Sequence, residues 1–251
     1  MVSAFHNFEY SYVSNGKHVF CPSDVGRAIG KEVKAKVEAA YSFDPFMSHF
    51  QEGAHIKALH DHRQNEFFCR VDITRFFYTI QRNRVKRALK EIGVAFPEHY
   101  AKWSTVKNPY QGGGYVLPYG FVQSPILATL VLSLSPVTTF LRQLDSTITR
   151  SVYMDDISLS GPDIHALSVA YNELRENLIG SGFHLNEEKS RAPAKQIDIF
   201  NCDLAKDRSE VRPDRIAEFY AGERSEQSVA AFEQYCDIVK SSNWRTTSAP
   251  N

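Results

Sequence analysis

Asp155 and Asp156 stand side by side in the run Tyr153-Met154-Asp155-Asp156, between two β-prone stretches, 148–152 and 157–160. The pattern is that of a hairpin with two acids at its tip. Hard Mg2+ ions are held by a few carboxylates together with substrate phosphates. The chemistry that needs such a site is phosphoryl transfer, in which two ions roughly 3.5–4 Å apart activate an attacking hydroxyl and stabilise the leaving oxygen. Adjacent side chains on a regular strand face opposite ways, so the pair cannot form the site alone. A tight turn can bring Asp155 forward, but another strand must supply its partner. Asp72, at the end of the short apolar run 67–73, is the candidate. A nucleotide polymerase is the expectation; the competing reading makes Asp72 a helix N-cap and Asp155-Asp156 an ordinary exposed turn.

A third signal separates the two. Gly112-Gly113-Gly114 begin a loop that continues through Leu117-Pro118-Tyr119-Gly120 to Ser124-Pro125. Ser124 is the expected N-cap and Pro125 the first helical residue. A helix start behind a flexible loop can approach a nucleotide closely.

In sequence order, 71–77 around Asp72, 117–125 and 153–156 resemble motifs A, B and C of the reverse transcriptases, more closely the bacterial group of retron, group II intron and phage-defence enzymes. The run 182–190, ending Glu188-Lys189-Ser190, looks like motif D, and 199–204 falls where the primer-grip hairpin belongs. The resemblance extends from about 67 to 215. It implies Asp72 and Asp155 as metal ligands, Asp156 as the accessory carboxylate and the Ile73 carbonyl as an extra ligand, with Mg2+ as the ion and Mn2+ as its substitute. Phe77 matches the steric gate that excludes a ribose 2′-hydroxyl; without the motif it is a core aromatic beside Phe76. Tyr119, Gly120 and Gln123 fall at nucleotide-contacting positions, and Lys189 at that of a charge stabiliser or proton donor near the incoming phosphates; otherwise Lys189 is a solvated surface residue. Tyr153 and Met154 would meet nucleic acid.

Two departures qualify the match. Tyr119 stands where motif B usually carries glutamine, and Phe200-Asn201-Cys202 replaces the Val-Thr-Gly tripeptide of retrons. A defence-type or unassigned bacterial enzyme fits better than a true retron, and the resemblance implies a structured noncoding RNA as template, dNTPs as substrates and DNA as product.

The remaining sequence must position these groups. A chain of 251 residues, 43% hydrophobic and 23% charged, can bury a substantial core. Strand, helix, hairpin, helix and strand in succession give a split βαβ sheet with helices on one face. The expected fold class is α+β: a right-hand polymerase with fingers, a ferredoxin-like palm and a short helical thumb. Its expected segments are an N-terminal fingers region, 1–66, a palm with interleaved fingers, 67–205, and a short thumb with a polar tail, 206–251. Within them, Asn15-Gly16 marks a hairpin turn. Ile164, Leu167, Tyr171, Leu174 and Leu178 recur at helical spacing between Pro162-Asp163 and Gly180, and 183–185 is the expected last strand. The charge-free segment 111–140 is interrupted by Pro118, Pro125 and Pro136, so neither a spanning helix nor a membrane partner is expected.

Formal net charge is zero, unlike the excess of cations expected of a protein that holds a polyanion. Arg82, Arg84, Lys86, Arg87 and Lys90 nevertheless crowd one stretch capped by Asn83, either a nucleic-acid contact or a solvated helix face. Four scattered cysteines show no metal spacing and suit a reducing cytoplasm. His55, His60 and His62 match no zinc site and are expected at a polar surface or against nucleic acid. With little chain beyond Arg215 and one amphipathic helix through Val229, Phe232, Tyr235 and Val239, help from a second copy, a partner protein or a structured RNA is expected. Protein priming from Tyr220 or Tyr235 is open. Two rivals remain: an RNA-dependent RNA polymerase, and an inactive RNA-binding subunit that kept the palm.

Overall fold

Residues 6–110 and 112–241 are described by a computed structural model and fall into two compact units. The first comprises 1–44, 73–142 and 177–184, the second 45–72, 143–176 and 185–251. The chain crosses between them several times, so the linear boundaries expected at 66 and 205 do not coincide with theirs. The N-terminal five residues, Gln111 and the expected polar tail 246–251 lie outside the described residues.

In the first unit, strands Phe8–Ser14 and Lys17–Pro22 form the expected hairpin. Asn15 and Gly16 both take positive φ, 49° and 71°, the conformation favoured in two-residue hairpin turns. Ser23 then caps helix Asp24–Ala40, its Oγ accepting from the Gly26 amide. Helix Ser124–Ser133 is buried along almost its whole length. Its N-cap is Gln123, and the Ser124 hydroxyl is buried without a hydrogen-bond partner among the described residues. The expected Ser124 cap is therefore corrected: Pro125 still begins the first turn, but the serine side chain is turned into the core. Likewise Asn83 lies inside helix Arg82–Glu91, whose N-cap is Gln81.

The second unit holds a four-stranded antiparallel sheet in the order Thr149–Tyr153, Asp156–Gly161, Phe67–Asp72, Arg191–Ala194. This is the strand order of a split βαβ sheet. The last strand is Arg191–Ala194, not 183–185, which is irregular. An edge position tolerates Pro193. Helix Ile164–Gly180 starts where expected, with the Asp163 carboxylate accepting from the His165 and Ala166 amides at 2.7 and 2.8 Å. Leu167, Tyr171, Leu174 and Leu178 are buried, while Ile164 is exposed.

A second, three-stranded sheet of Gln196–Ile199, Cys202–Ala205 and Arg208–Val211 follows. Ile197, Ile199, Leu204 and Val211 share a core with Phe68 of the first sheet and Val239 of helix Glu226–Lys240. The residues after Arg208 thus include a further helix, Pro213–Tyr220, beside the single amphipathic one expected.

The histidines expected at a polar surface are instead built into this unit. His62 is buried between the hydroxyls of Ser160 and Ser151, at 2.8 and 2.7 Å from its two ring nitrogens. Burial pushes its pKa down to about 4, so the ring is neutral. His60 is buried against the Val239 carbonyl, and His55 is half-buried beside the Tyr235 hydroxyl. The four cysteines are free thiols. Among the described residues no single helix is long and apolar enough to cross a membrane.

Candidate active site

Asp72 and Asp156 are cross-strand partners at the end of the two central strands. Tyr153 pairs with Asp156, which leaves Met154 and Asp155 as a two-residue turn. Met154 takes a left-handed φ of 58°, whereas Asp155 does not. A side-chain-bearing residue in that region costs of order 1–3 kcal/mol, and such strain gathers at functional sites. The turn brings Asp155 next to the paired carboxylates without a third strand. All three acids lie within electrostatic reach, since both Asp72 and Asp155 raise the pKa of Asp156.

The segment after helix Ile164–Gly180 fixes the Asp72 end. The Asp72 amide donates to Ser190 Oγ at 3.2 Å, and its carbonyl accepts from the Asn186 amide at 2.8 Å. Ser190 Oγ in turn donates to the Asn186 carbonyl at 2.8 Å. Lys189, within the same turn, has an exposed side chain. Its carbonyl has a structural task, accepting from Arg70 Nε and an Arg70 terminal nitrogen at 3.2 and 2.6 Å.

Arg70 and Asp72 project from the same face of their strand, two residues apart. The guanidinium is only 8% exposed. It lies 3.8 Å from Asp156 Oδ2 and 3.2 Å from Asp198 Oδ2. Arg191 and Arg212 reach the same Asp198 at 2.7 and 3.5 Å. Against the cost of burial, Arg70 and Arg191 hold the Asp198 carboxyl below its ordinary range. Asp156 has Arg70 and the Ser158 hydroxyl, which donates to its Oδ1 at 3.4 Å, against burial and two carboxylates. Burial first, then Asp72 and Asp155, push it up to about 7.

That imbalance is the test of whether a divalent cation fits. A carboxylate pushed up by burial and by two neighbouring carboxylates is relieved by additional positive charge, and oxygen-only donors suit a hard ion such as Mg2+. Among the described residues no group of three or more His, Cys, Asp or Glu side chains could by itself hold a metal ion. An open set agrees with an ion that takes one or two carboxylates and completes its shell with phosphates and water. The residues fit.

The turn is clamped from 46–49. The Val152 amide donates to the Phe46 carbonyl at 2.8 Å, and Ser48 Oγ donates to the Val152 carbonyl at 3.0 Å. His49 Nδ1 lies 3.4 Å from the Met154 amide nitrogen, the strained residue itself. Burial lowers the His49 pKa to about 4, so the ring is neutral; Nδ1 also lies 3.3 Å from the Val152 carbonyl, and it accepts from the Met154 amide with the proton on Nε2 or donates to that carbonyl with the proton on Nδ1. Tyr153 meets His49, His55 and Phe200 at centroid distances of 5.7, 6.0 and 5.5 Å. Phe200 and Asn201 turn the expected 199–204 hairpin with φ of 51° and 61°.

The other expected site residues belong to the first unit. Phe77 is half-buried, unlike its fully buried neighbour Phe76, and its ring meets Tyr119 edge-on at 4.7 Å. Ile73 has a buried side chain. Gly120, at φ 98°, passes so close to the N-terminal hairpin that a Cβ would sit 2.2 Å from the Phe20 carbonyl, so its glycine serves the fold. Gln123 is corrected as a nucleotide contact. It is 1% exposed, donates to Ser104 Oγ and has its amide against Gly30, so no face is left for a ligand. The basic stretch also divides. Arg82 donates to Thr105 Oγ1 and lies over Tyr115, while Lys86 pairs with Glu98. Arg84 and Arg87 form no such pair among the described residues. Arg70, Asp198, Ser190 and His49 were the functional neighbours missed in the sequence; only Arg70, a charge inside an apolar strand, carried a signal.

A central antiparallel sheet with acids at one end, reached by a strained hairpin turn, defines the palm of a right-hand polymerase. The family described as reverse transcriptase (RNA-dependent DNA polymerase) matches residues 14–203, and the chain belongs to it. Among solved structures, a foamy viral protease-reverse transcriptase in complex with double-stranded DNA is similar with a TM-score of 0.55 and 15% identity, over 90% of this chain and 34% of that one. Telomerase from Candida albicans, in complex with a telomeric RNA fragment, gives 0.52 and 13%, over 75% and 38%. Apo telomerase from Candida tropicalis gives 0.51 and 12%, over 71% and 38%. The chain thus spans a little over a third of the proteins it resembles, and at these identities the likeness is one of fold. No curated protein matches the sequence.

Proposed function

We propose that the chain is an RNA-directed DNA polymerase that adds deoxynucleotides to a 3′-hydroxyl at the Asp72, Asp155 and Asp156 end of the sheet. The observation that carries this reading is the pairing of Asp72 with Asp156 beside the strained Met154-Asp155 turn, in a chain of the reverse transcriptase family. Asp72 and Asp155 would hold divalent ions, Mg2+ first and Mn2+ as substitute, with Asp156 beside them and the Ile73 carbonyl as an added oxygen. Bound there, the ions would supply activation of the attacking hydroxyl and stabilisation of the leaving oxygen.

The chain's own residues do the rest. Ser190 and Asn186 fix the backbone of Asp72, Arg70 holds Asp156, and His49 supports the turn that presents Asp155. Tyr153 and Met154 form the surface beside the acids where a primer end would lie, and exposed Lys189 would approach incoming phosphates. Phe77 acts as the sugar gate; its half-exposed ring against Tyr119 favours that over a core role. Phe77→Ala should then admit ribonucleotides, measured as the ratio of ribo- to deoxynucleotide incorporation; an unchanged ratio in a folded, active variant would return Phe77 to packing alone.

The motif resemblance to retron, group II intron and phage-defence enzymes supports a bacterial, cytoplasmic protein that copies a structured noncoding RNA in anti-phage defence, aided by a second copy or a partner protein. Extension of a labelled primer on RNA and DNA templates, with any copurifying RNA included, tests the reading. Template-dependent deoxynucleotide incorporation supports it. Ribonucleotide incorporation alone would favour an RNA polymerase, and none under any condition an RNA-binding subunit.

A further inference from the structure

Helix Arg82–Glu91 borders a cavity of about 620 Å3 whose lining lies wholly within the first unit. That volume is within the range of roughly 300–1,000 Å3 usual for small-molecule sites. Two guanidiniums, Arg84 and Arg87, reach it from one helix face, three residues apart. Among the described residues neither forms an ion pair, whereas on the same helix Arg82 is hydrogen-bonded to Thr105 and Lys86 is paired with Glu98. The one acid in the lining is Glu91.

Arg84 is also fixed in place. Its guanidinium lies over the buried Phe183 ring at 4.6 Å, an arrangement that favours a flat cation and restricts its rotamers. Burial and the nearby Arg87 both lower its pKa, which a bound anion would reverse. Ser181 is also in the lining, with its hydroxyl buried and without a hydrogen-bond partner among the described residues. Val131, Leu134 and Pro136 make the remaining wall apolar.

We propose that this cavity binds the phosphate group of a nucleotide, with Arg84 and Arg87 as its cationic clamp and the Val131–Leu134–Pro136 wall against the nucleoside. Phosphate accepts in the forked geometry that guanidinium offers, and the apolar wall suits a sugar or base. The phosphate can belong to a free nucleotide or to the 5′ end of a strand. The site is separate from the carboxylates of the proposed polymerase centre, which belong to the other unit, and does not depend on that reading.

The test is equilibrium binding to the full chain in EDTA, which suppresses nucleotide binding that needs a divalent ion. The probes are ATP, a 5′-phosphorylated oligonucleotide, the same oligonucleotide without the phosphate, and adenosine. ATP or the phosphorylated oligonucleotide should bind at least about 10-fold more tightly than its unphosphorylated counterpart, and whichever does so identifies the source. Arg87→Gln, at an exposed position, should weaken that binding about 10-fold, as expected for loss of one charge-assisted contact. Arg84→Gln should do at least as much. Failure of both phosphorylated probes to bind, equal binding of the unphosphorylated ones, or undiminished binding by Arg87→Gln and Arg84→Gln would overturn the proposal. Because no catalysis is read, an inactive polymerase that still binds leaves the proposal standing.

Discussion

Asp156 at the carboxylate end of the four-stranded sheet and the arginines of the cavity beside helix Arg82–Glu91 are opposite in charge but alike in being unbalanced. Asp156 faces Arg70, which it shares with Asp198, and is pushed up by burial and by Asp72 and Asp155; Arg84 and Arg87 have no ion pair among the described residues. Asp198, by contrast, is surrounded by Arg70, Arg191 and Arg212 and needs nothing further. Balanced charge is structure. Unbalanced charge held in a fixed geometry leaves a place for a ligand of opposite sign, a cation in one unit and a phosphate in the other.

Removing Arg70 would make the carboxylate end more unbalanced still. Arg70→Met should destabilise the protein by about 3 kcal/mol, since a buried charge network that loses one partner leaves the others uncompensated. Urea unfolding measures this, and Arg70→Lys should recover only part of it, because one ammonium cannot replace a fork that reaches Lys189 and Asp198 together. A loss below about 0.5 kcal/mol would mean the network contributes little.

Acid places charge where neither kind of site exists. His62, with a folded pKa of about 4 against 6.5 for the ordinary group, binds its proton more readily in the unfolded chain. Unfolding therefore takes up protons between those values, and stability contributed by the neutral ring is present above pH 6.5 and lost as pH falls toward 4. The shift corresponds to at most about 3 kcal/mol. His49 adds in the same direction. Asp156, pushed up to about 7, takes up its proton more readily in the folded chain and opposes them over the same window, so His62 is read by difference: between pH 7 and 4 the urea midpoint of wild type should lose more, relative to its value at pH 7, than that of His62→Asn, and an identical profile would remove His62 as a source. Asp198, whose pKa is lowered, acts below this window.

His49→Ala tests position without altering charge. It removes the ring nitrogen beside the Met154 amide and the Val152 carbonyl, and displacement of the turn should lower the rate of nucleotide addition about 10-fold with little effect on KM for nucleotide. An unchanged rate would assign His49 to packing.

How much of this was visible in the sequence depended on range. Asn15-Gly16 and the β-prone flanks of Asp155-Asp156 are local signals, and the elements they specify form as expected. The pairing of Asp72 with Asp156 spans 84 residues, yet each strand end was marked by its own apolar run. The edge strand Arg191–Ala194 was missed because Arg-Ala-Pro-Ala lacks the β-branched residues that signal a strand, while Phe183-His184-Leu185 has apolar alternation but forms only a single bridge, with the Thr74 amide donating to the His184 carbonyl and the Asn186 amide to the Asp72 carbonyl. His49 acts 105 residues from Met154, a contact that no local pattern records. The division of the basic stretch was legible in principle, since Arg84 and Arg87 share a helix face that Arg82 and Lys86 do not, but which face met a cavity depended on 180–182 and on 131–136.

The central claim is that the acids at the sheet end are catalytic. Its most direct test is the rate of deoxynucleotide addition to a labelled primer on an RNA template with Mg2+, comparing wild type with Asp155→Asn and checking that both unfold at the same urea concentration. A fall of at least about 100-fold, the loss expected when a major electrostatic stabiliser is removed, with an unchanged midpoint is the predicted result. A folded Asp155→Asn protein that extends the primer at the wild-type rate would contradict it.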